Sequence, residues 1–210
     1  LDKAVRMLPQ CAPERISVGQ VHSAMGSRYF LLMAGAGLDA QIVYNVNANV
    51  KKQLGKLAYW SAGFSMVGRS LSQLDALLNG DRHRCGFALA SRVKNYGGDL
   101  TIATGASLFE NDFETVLFEG RHASRFLLHF IGVLAQSVES FPGVRVARAR
   151  KVEFQGAGDE RVYIQVDGEF AGRLPARIEI VENALTLMAP VDARQRLGIK
   201  ATEALMPASG

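Results

Sequence analysis

The sequence predicts a mainly β domain, an antiparallel β-sandwich with two inserted helices (α+β). Three observations predict it. Strand-like runs recur along the chain and are joined by short turns, such as residues 156–159 and Glu182-Asn183. Short turns suit antiparallel pairing, because parallel strands need long crossovers. Only two stretches space their apolar residues as a helix does. Hydrophobic residues make up 48% of the 210, enough for a sizeable core, while 21% charged residues and 21 glycines argue against disorder or a coiled coil.

The elements follow in order. Residues 2–8 read as the end of a helix stopped by Pro9. Residues 16–21 and 29–34 read as strands, with a hairpin connection containing Gly26 between them. Gly35-Ala36-Gly37-Leu38-Asp39-Ala40 is a tight turn, which requires positive φ at Gly35 or Gly37. Residues 41–52 hold three asparagines and show no clear period. Residues 57–74 carry Leu57, Trp60, Phe64, Val67, Leu71 and Leu74 at steps of three and four, one apolar stripe of a helix that residues 77–80 end. Residues 85–91 and 99–104 read as strands around a loop with Gly97-Gly98, and residues 114–118 as another. Residues 123–137 read as the second helix, with Phe126, Leu127, Phe130, Ile131, Val133 and Leu134 mostly on one side. Phe141-Pro142-Gly143 stops it. Strands are then expected at 144–154, 161–166, 176–181 and 184–188. From Asp192 the chain is polar, helical or frayed.

The formal charge of +4 suits phosphate ligands or an anionic membrane surface. It is too diffuse for nucleic acid. The basic run 145–151 alternates with apolar residues and reads as the wet face of a strand. Cys11 and Cys85 form no metal spacing and read as reduced thiols of a cytoplasmic protein. No signal peptide and no run of 18 apolar residues occurs. The first residue is not Met, so a piece of a longer or processed protein is expected.

Asp167-Gly168-Glu169 follows a strand-like run and is the most informative motif. Glycine between two carboxylates lets the backbone turn and exposes both acids, which then hold a metal or take a proton from a hydroxyl. Asp-Gly is also an ordinary turn signal, and on turn chemistry alone that is the commoner outcome. The Gly35 to Ala40 segment mimics a dinucleotide fingerprint. That reading fails because no acid occurs between Asp39 and Asp75 and no alternating βα pattern follows. Lys51, Lys52 and Lys56 flank Gly55 at the expected helix start, as phosphate contacts or as a solvated turn. Trp60, Phe64 and Val67 read as core or as the lining of an acyl groove. His22, His83, His122 and His129 share no metal spacing. Gly105-Ala106-Ser107-Leu108 is not a complete nucleophile elbow.

Taken in order, these motifs resemble the C-terminal half of the diacylglycerol kinase catalytic family, which includes bacterial lipid kinases and sphingosine and ceramide kinases. The ordered set is Ala34 to Ala40, Lys52 to Tyr59, Tyr96-Gly97-Gly98, Ile102-Ala103 to Ala106, Asn111-Asp112, Asp167-Gly168-Glu169 and a closing Ala184 to Pro190. It spans roughly residues 16 to 190. The family usually has Pro where Thr104 stands. It also has an Asp-Gly turn, which binds a structural Mg²⁺ in some bacterial members, where this chain reads Glu110-Asn111-Asp112-Phe113. Asp112 is the remaining ligand candidate.

The resemblance implies an ATP-dependent lipid kinase that transfers the γ-phosphoryl group to a lipid hydroxyl such as that of diacylglycerol. Residues 1–15 would connect from a missing N-terminal nucleotide-binding domain, 16–191 form the acceptor domain, and 192–210 a tail. Glu169 would be the catalytic base and Asp167 its partner. Lys56, Gly97 and Gly98 would touch the nucleotide, and Asp39, Phe64 and Val67 the lipid. Mg²⁺ and ATP would be bound mainly by the absent domain, so the chain alone is expected to be inactive. The implied partners are ATP and a lipid at a membrane surface, not nucleic acid, with a homodimer left open. The implied setting is cytoplasmic, peripheral at the inner membrane surface. The contrasting possibility is a non-enzymatic β-sandwich that binds a lipid or a protein.

Overall fold

The computed structural model of the chain describes residues 2–38, 40, 72–96, 100–120, 141–158 and 161–193. A short helix α1 (Asp2–Met7) runs into a 3-10 turn at Leu8–Gln10 that holds Pro9. The described strands are β1 (Cys11–Ser23), β2 (Gly26–Phe30), β3 (Met33–Gly37), β4 (Leu74–Leu78), β5 (Asp81–Cys85), β6 (Phe87–Ser91), β7 (Asn95–Tyr96), β8 (Leu100–Thr101), β9 (Phe113–Phe118), β10 (Val144–Ala149), β11 (Lys151–Gly156), β12 (Tyr163–Val166), β13 (Glu169–Arg173) and β14 (Ala176–Pro190). They form a six-stranded sheet of order β2-β1-β14-β11-β4-β5, another of order β10-β9-β6-β3-β12-β13, and the small β7-β8 ladder. Neighbours pair antiparallel throughout these sheets. The antiparallel sandwich expected from the short turns is therefore present. The two expected helices, at residues 57–74 and 123–137, fall outside the described residues except for 72–74. No helix among the described residues is long and apolar enough to cross a membrane.

The runs 29–34 and 144–154, each read as a single strand, are in fact two, and β5 lies almost wholly before the strand expected at 85–91. The chain bends from β2 to β3 at residues 31–32, from β5 to β6 at Gly86, and from β10 to β11 at Arg150. Each bend leaves an edge strand of one sheet and enters an inner strand of the other. Both arms face the same interior, so the apolar pattern continues through the bend and hides it. The opposite error occurs at the C-terminus. The expected turn at Glu182-Asn183 lies within the single strand β14. There the register against β1 jumps from Ile16↔Leu185 to Val18↔Val181, and Asn183 takes φ 50°. This is a β-bulge. β1 also begins at Cys11 and pairs with Pro190, so residues 11–15 are part of the first sheet.

Of the first expected helix only residues 72–74 are described, and there Leu74 opens β4. Asn79 and Gly80 then turn back into β5 with φ 53° and 96°. Positive φ at both positions marks the tight hairpin turn for which Asn-Gly is the strongest short signal. Asp75, 4% exposed, is held in this hairpin by Arg84 opposite it and by Arg82 at 3.5 Å.

The main core lies between the sheets. Val21, Phe30, Leu74, Val152, Phe154 and Ile178 of the first meet Ala34, Ala36, Ala88, Leu117 and Ile164 of the second. Small side chains on β3 and β6 leave room for the phenylalanines opposite. Phe30 stacks on Phe113 at 5.7 Å between centroids. The second sheet is buried on its outer face as well, where Met33, Phe87, Leu89, Val116 and Phe118 pack with Tyr96, Ile102 and Ala103. This double burial is why β3, β6 and β9 are apolar without alternation.

Candidate functional site

Asp167 and Gly168 form the two-residue turn between β12 and β13, with φ 48° and 81°. Asp-Gly suits such a turn because neither residue resists a left-handed backbone strongly. Gln165, 2% exposed, supports it from below, its Oε1 accepting the Gly168 N–H at 2.7 Å. The Asp167 carboxylate does not point to a vacant space. Its Oδ2 accepts the Leu31 N–H at 2.8 Å, and its Oδ1 accepts those of Leu32 and Met33, both at 2.9 Å. The Asp167 N–H donates to the Met33 carbonyl at 2.9 Å. Asp167 thus caps the bend that carries the chain from β2 to β3.

Glu169, the first residue of β13, behaves differently. Its side chain is 71% exposed, and Oε2 accepts from Arg28 Nη2 at 2.9 Å. Arg28 is itself anchored, since Nη1 donates to the Phe170 carbonyl at 3.0 Å. The hairpin therefore presents an accessible carboxylate in a defined place, with a guanidinium beside it. Such an acid can accept a proton from a hydroxyl or help to hold a cation.

Asp112 sits just before β9. Arg148 of β10 grips it with two nitrogens, Nε donating to Oδ2 at 2.7 Å and Nη2 to Oδ1. Arg148 Nη1 donates to the Gly105 carbonyl at 2.9 Å. From inside, Arg92, 0% exposed, donates to the Leu108 carbonyl at 2.6 Å and to the Asp112 carbonyl at 3.3 Å. Burial pulls the Arg92 guanidinium down to about 10, against the opposing attraction of Asp112. The hydrogen bond to Asp112 raises that of Arg148. Both remain cations at neutral pH. Asp112 is the residue that the resemblance gives to a metal, and the fit is poor. Both its oxygens are occupied by arginine, and no group of three or more His, Cys, Asp or Glu able to hold a metal occurs among the described residues.

These two places share one end of the second sheet. Val166 pairs with Ala34, Met33 with Ser91, Ser91 with Glu114 and Phe113 with Ala149. Hydrogen bonds run along that end. The Leu32 N–H meets Asp167, the Leu32 carbonyl accepts the Arg92 N–H at 2.8 Å, and Arg92 reaches Asp112. Of the expected site residues, Glu169, Asp167 and Asp112 are therefore brought to one end of one sheet. Lys56, Gly97, Gly98, Asp39, Phe64 and Val67 lie outside the described residues. Arg28, Arg92 and Arg148 were not singled out by sequence reasoning. Nothing near Arg28 or Arg92 in the chain marks them, because their partners lie 141 and 16 to 20 residues away.

The family model of the YegS C-terminal NAD kinase beta sandwich-like domain matches residues 33–189. A diacylglycerol kinase of Bacillus subtilis (strain 168) is 22% identical over 186 residues, 87% of this chain and 59% of the relative. A diacylglycerol kinase of Staphylococcus aureus (strain Newman) is 26% identical over 174 residues, 80% of this chain and 54% of the relative. The chain thus spans little more than half the length of these curated relatives. Two solved structures from Bacillus anthracis str. Sterne share the fold, with TM-scores of 0.66 and 0.60 at 16% and 15% identity. Each match covers 84% of this chain and 57% or 56% of the solved one.

Proposed function

This chain belongs to the family of the YegS C-terminal NAD kinase beta sandwich-like domain, and from that premise we propose that it is the acceptor-side domain of an ATP-dependent lipid kinase. In this reading the intact protein moves the γ-phosphoryl group of ATP to a lipid hydroxyl such as that of diacylglycerol. The observation that carries it is the match over residues 33–189, whose named relatives are diacylglycerol kinases. The geometry of the Asp167-Gly168 hairpin supports a division of labour between its two acids.

Glu169 is the base. It takes the proton of the lipid hydroxyl at a carboxylate oxygen as the hydroxyl oxygen bonds to the γ-phosphorus and the bond from that phosphorus to ADP breaks. Magnesium bound with the nucleotide supplies charge neutralisation of the phosphates. Phosphoryl transfer depends mostly on positioning and electrostatics, so the accuracy with which Glu169 is held matters more than its strength as a base. Arg28 supplies that accuracy from β2. Asp167 positions the hairpin through the three amides it accepts and does not touch the reacting atoms. Lys56, Gly97 and Gly98 are assigned to the nucleotide side, and Asp39, Phe64 and Val67 to the lipid side. The nucleotide sits mainly on the part of the relatives that this chain does not span, so the chain alone is inactive in this reading. The lipid setting places the intact protein at a membrane surface.

The test is lipid phosphorylation by the intact protein with labelled ATP. Glu169→Gln is expected to lower turnover by about 10²–10⁴-fold, the range a positioned general base contributes. Thermal melts serve as the folding control. Unchanged turnover would move the base elsewhere.

A further inference from the structure

The 105–112 loop is built to face positive charge. The carbonyls of Gly105, Leu108 and Asp112 and both carboxylate oxygens of Asp112 all accept hydrogen bonds from guanidinium nitrogens. An all-oxygen set made of one carboxylate and several carbonyls is what a hard divalent cation takes. Here two arginines take it. Arg148 spends Nε, Nη1 and Nη2 on the loop, and Arg92 spends both its Nη atoms. A planar fork suits this task, because it delivers several fixed donors where an ammonium would deliver one point of charge. A third tie comes from the other sheet, where the Ser17 hydroxyl donates to Asn111 Oδ1 at 2.6 Å.

We propose that the Arg148 guanidinium is a built-in cation that closes the 105–112 loop in place of a metal ion. The loop then holds its shape without any divalent metal. Arg148 reaches the loop from β10, and Arg92 from the end of β6 that also meets Leu32. The clamp is thereby tied by hydrogen bonds to the bend capped by Asp167. The inference concerns closure of the loop and stands whether or not the kinase reading does.

The experiment is done on the 210-residue chain without nucleotide. The purified chain is assayed for bound divalent metal and melted in EDTA, in Mg²⁺ and in Ca²⁺. The expected result is no stoichiometric metal and one midpoint in all three solutions. Bound metal near one ion per chain, or a midpoint that EDTA lowers, would overturn the proposal. Arg148→Met leaves the Asp112 carboxylate and the Gly105 carbonyl without their cation. It is expected to lower the midpoint in EDTA by about 2–4 °C and to regain part of that in millimolar Ca²⁺ or Mg²⁺. Arg148→Met combined with Asp112→Asn is expected to show no regain. A lowered midpoint in Arg148→Met with no response to either ion would make Arg148 an ordinary ion pair and overturn the proposal. The metal assay and the EDTA melt of the unaltered chain decide the matter even if that variant does not fold.

Discussion

At the scale of single residues, what decides a role is where the polar atoms go. Asp167 and Glu169 are two residues apart, yet one faces three backbone amides and the other faces solvent and Arg28. Glycine positions divide in the same way. Gly37 and Gly80 both have positive φ, 81° and 96°, but a Cβ on Gly37 would sit 2.3 Å from the Gly86 carbonyl oxygen, while one on Gly80 would meet nothing within 4 Å. Gly80→Ala should therefore lose only the backbone term, about 1–2 kcal/mol. Gly37→Ala should lose that plus a clash with backbone, about 1–3 kcal/mol more. Urea unfolding of both variants checks the order, and equal losses would contradict it. On the outer face of the first sheet, burial pushes the Glu179 carboxyl up, but hydrogen bonds from Arg177 and His22 outweigh it, and the net shift is downward from 4.5. A depressed folded value means stability that is present above 4.5 and lost as the pH falls through the lower folded value. Glu179→Gln should flatten the acid side of the stability profile, by less than about 1 kcal/mol for so open a pair. Melts across the acid range test this, and an unchanged profile would refute it.

At the scale of elements, the sequence carried the strand character of the described segments better than their limits. The run from Tyr29 through Leu31 and Leu32 to Ala34 is apolar with no turn residue, so it reads as one strand. The break is made by Asp167, 134 to 136 residues away, and no local signal announces it. Arg150 and Gly86 hide comparable bends, because the chain turns while its apolar side stays inward. In contrast, Asn79-Gly80 was legible. Asn-Gly between Leu78 and the β5 strand is a hairpin signal, and it was obscured by extending the helical spacing as far as Leu74. Asp167-Gly168 was legible as turn chemistry, and that reading holds for the backbone. The site was legible only through the order of its motifs. Arg28 and Arg148 escaped because a guanidinium on a strand looks like any solvated face until the strand opposite is known, and Arg92, just past β6, escaped because the carbonyls it meets lie 16 and 20 residues on. β13 escaped too, since Glu169 to Arg173 is short and its two apolar residues, Phe170 and Ala171, are adjacent and show no alternation.

At the scale of the whole molecule, two sheets share one core, and the second sheet gathers the described candidates Glu169, Asp167 and Asp112 at one end. The strand registers put Asp112, Arg92, Leu32 and Asp167 in a row there, with Glu169 exposed at its edge. In the proposed kinase, this end of the sheet is a mount for one working carboxylate, Glu169, and the neighbouring Asp167 belongs to the mount. The most direct measurement compares Asp167→Asn with Glu169→Gln. Turnover is read by lipid phosphorylation in the intact protein, and melting midpoint in the 210-residue chain. Asparagine keeps the left-handed turn but replaces one amide acceptor with a donor, a loss of about 1–3 kcal/mol. A crossed result is expected. Asp167→Asn lowers the midpoint by about 2–4 °C or more, and Glu169→Gln leaves the midpoint in place while turnover falls by about 10²–10⁴-fold. The reverse pattern, with Glu169→Gln fully active and Asp167→Asn stable but inactive, would contradict it.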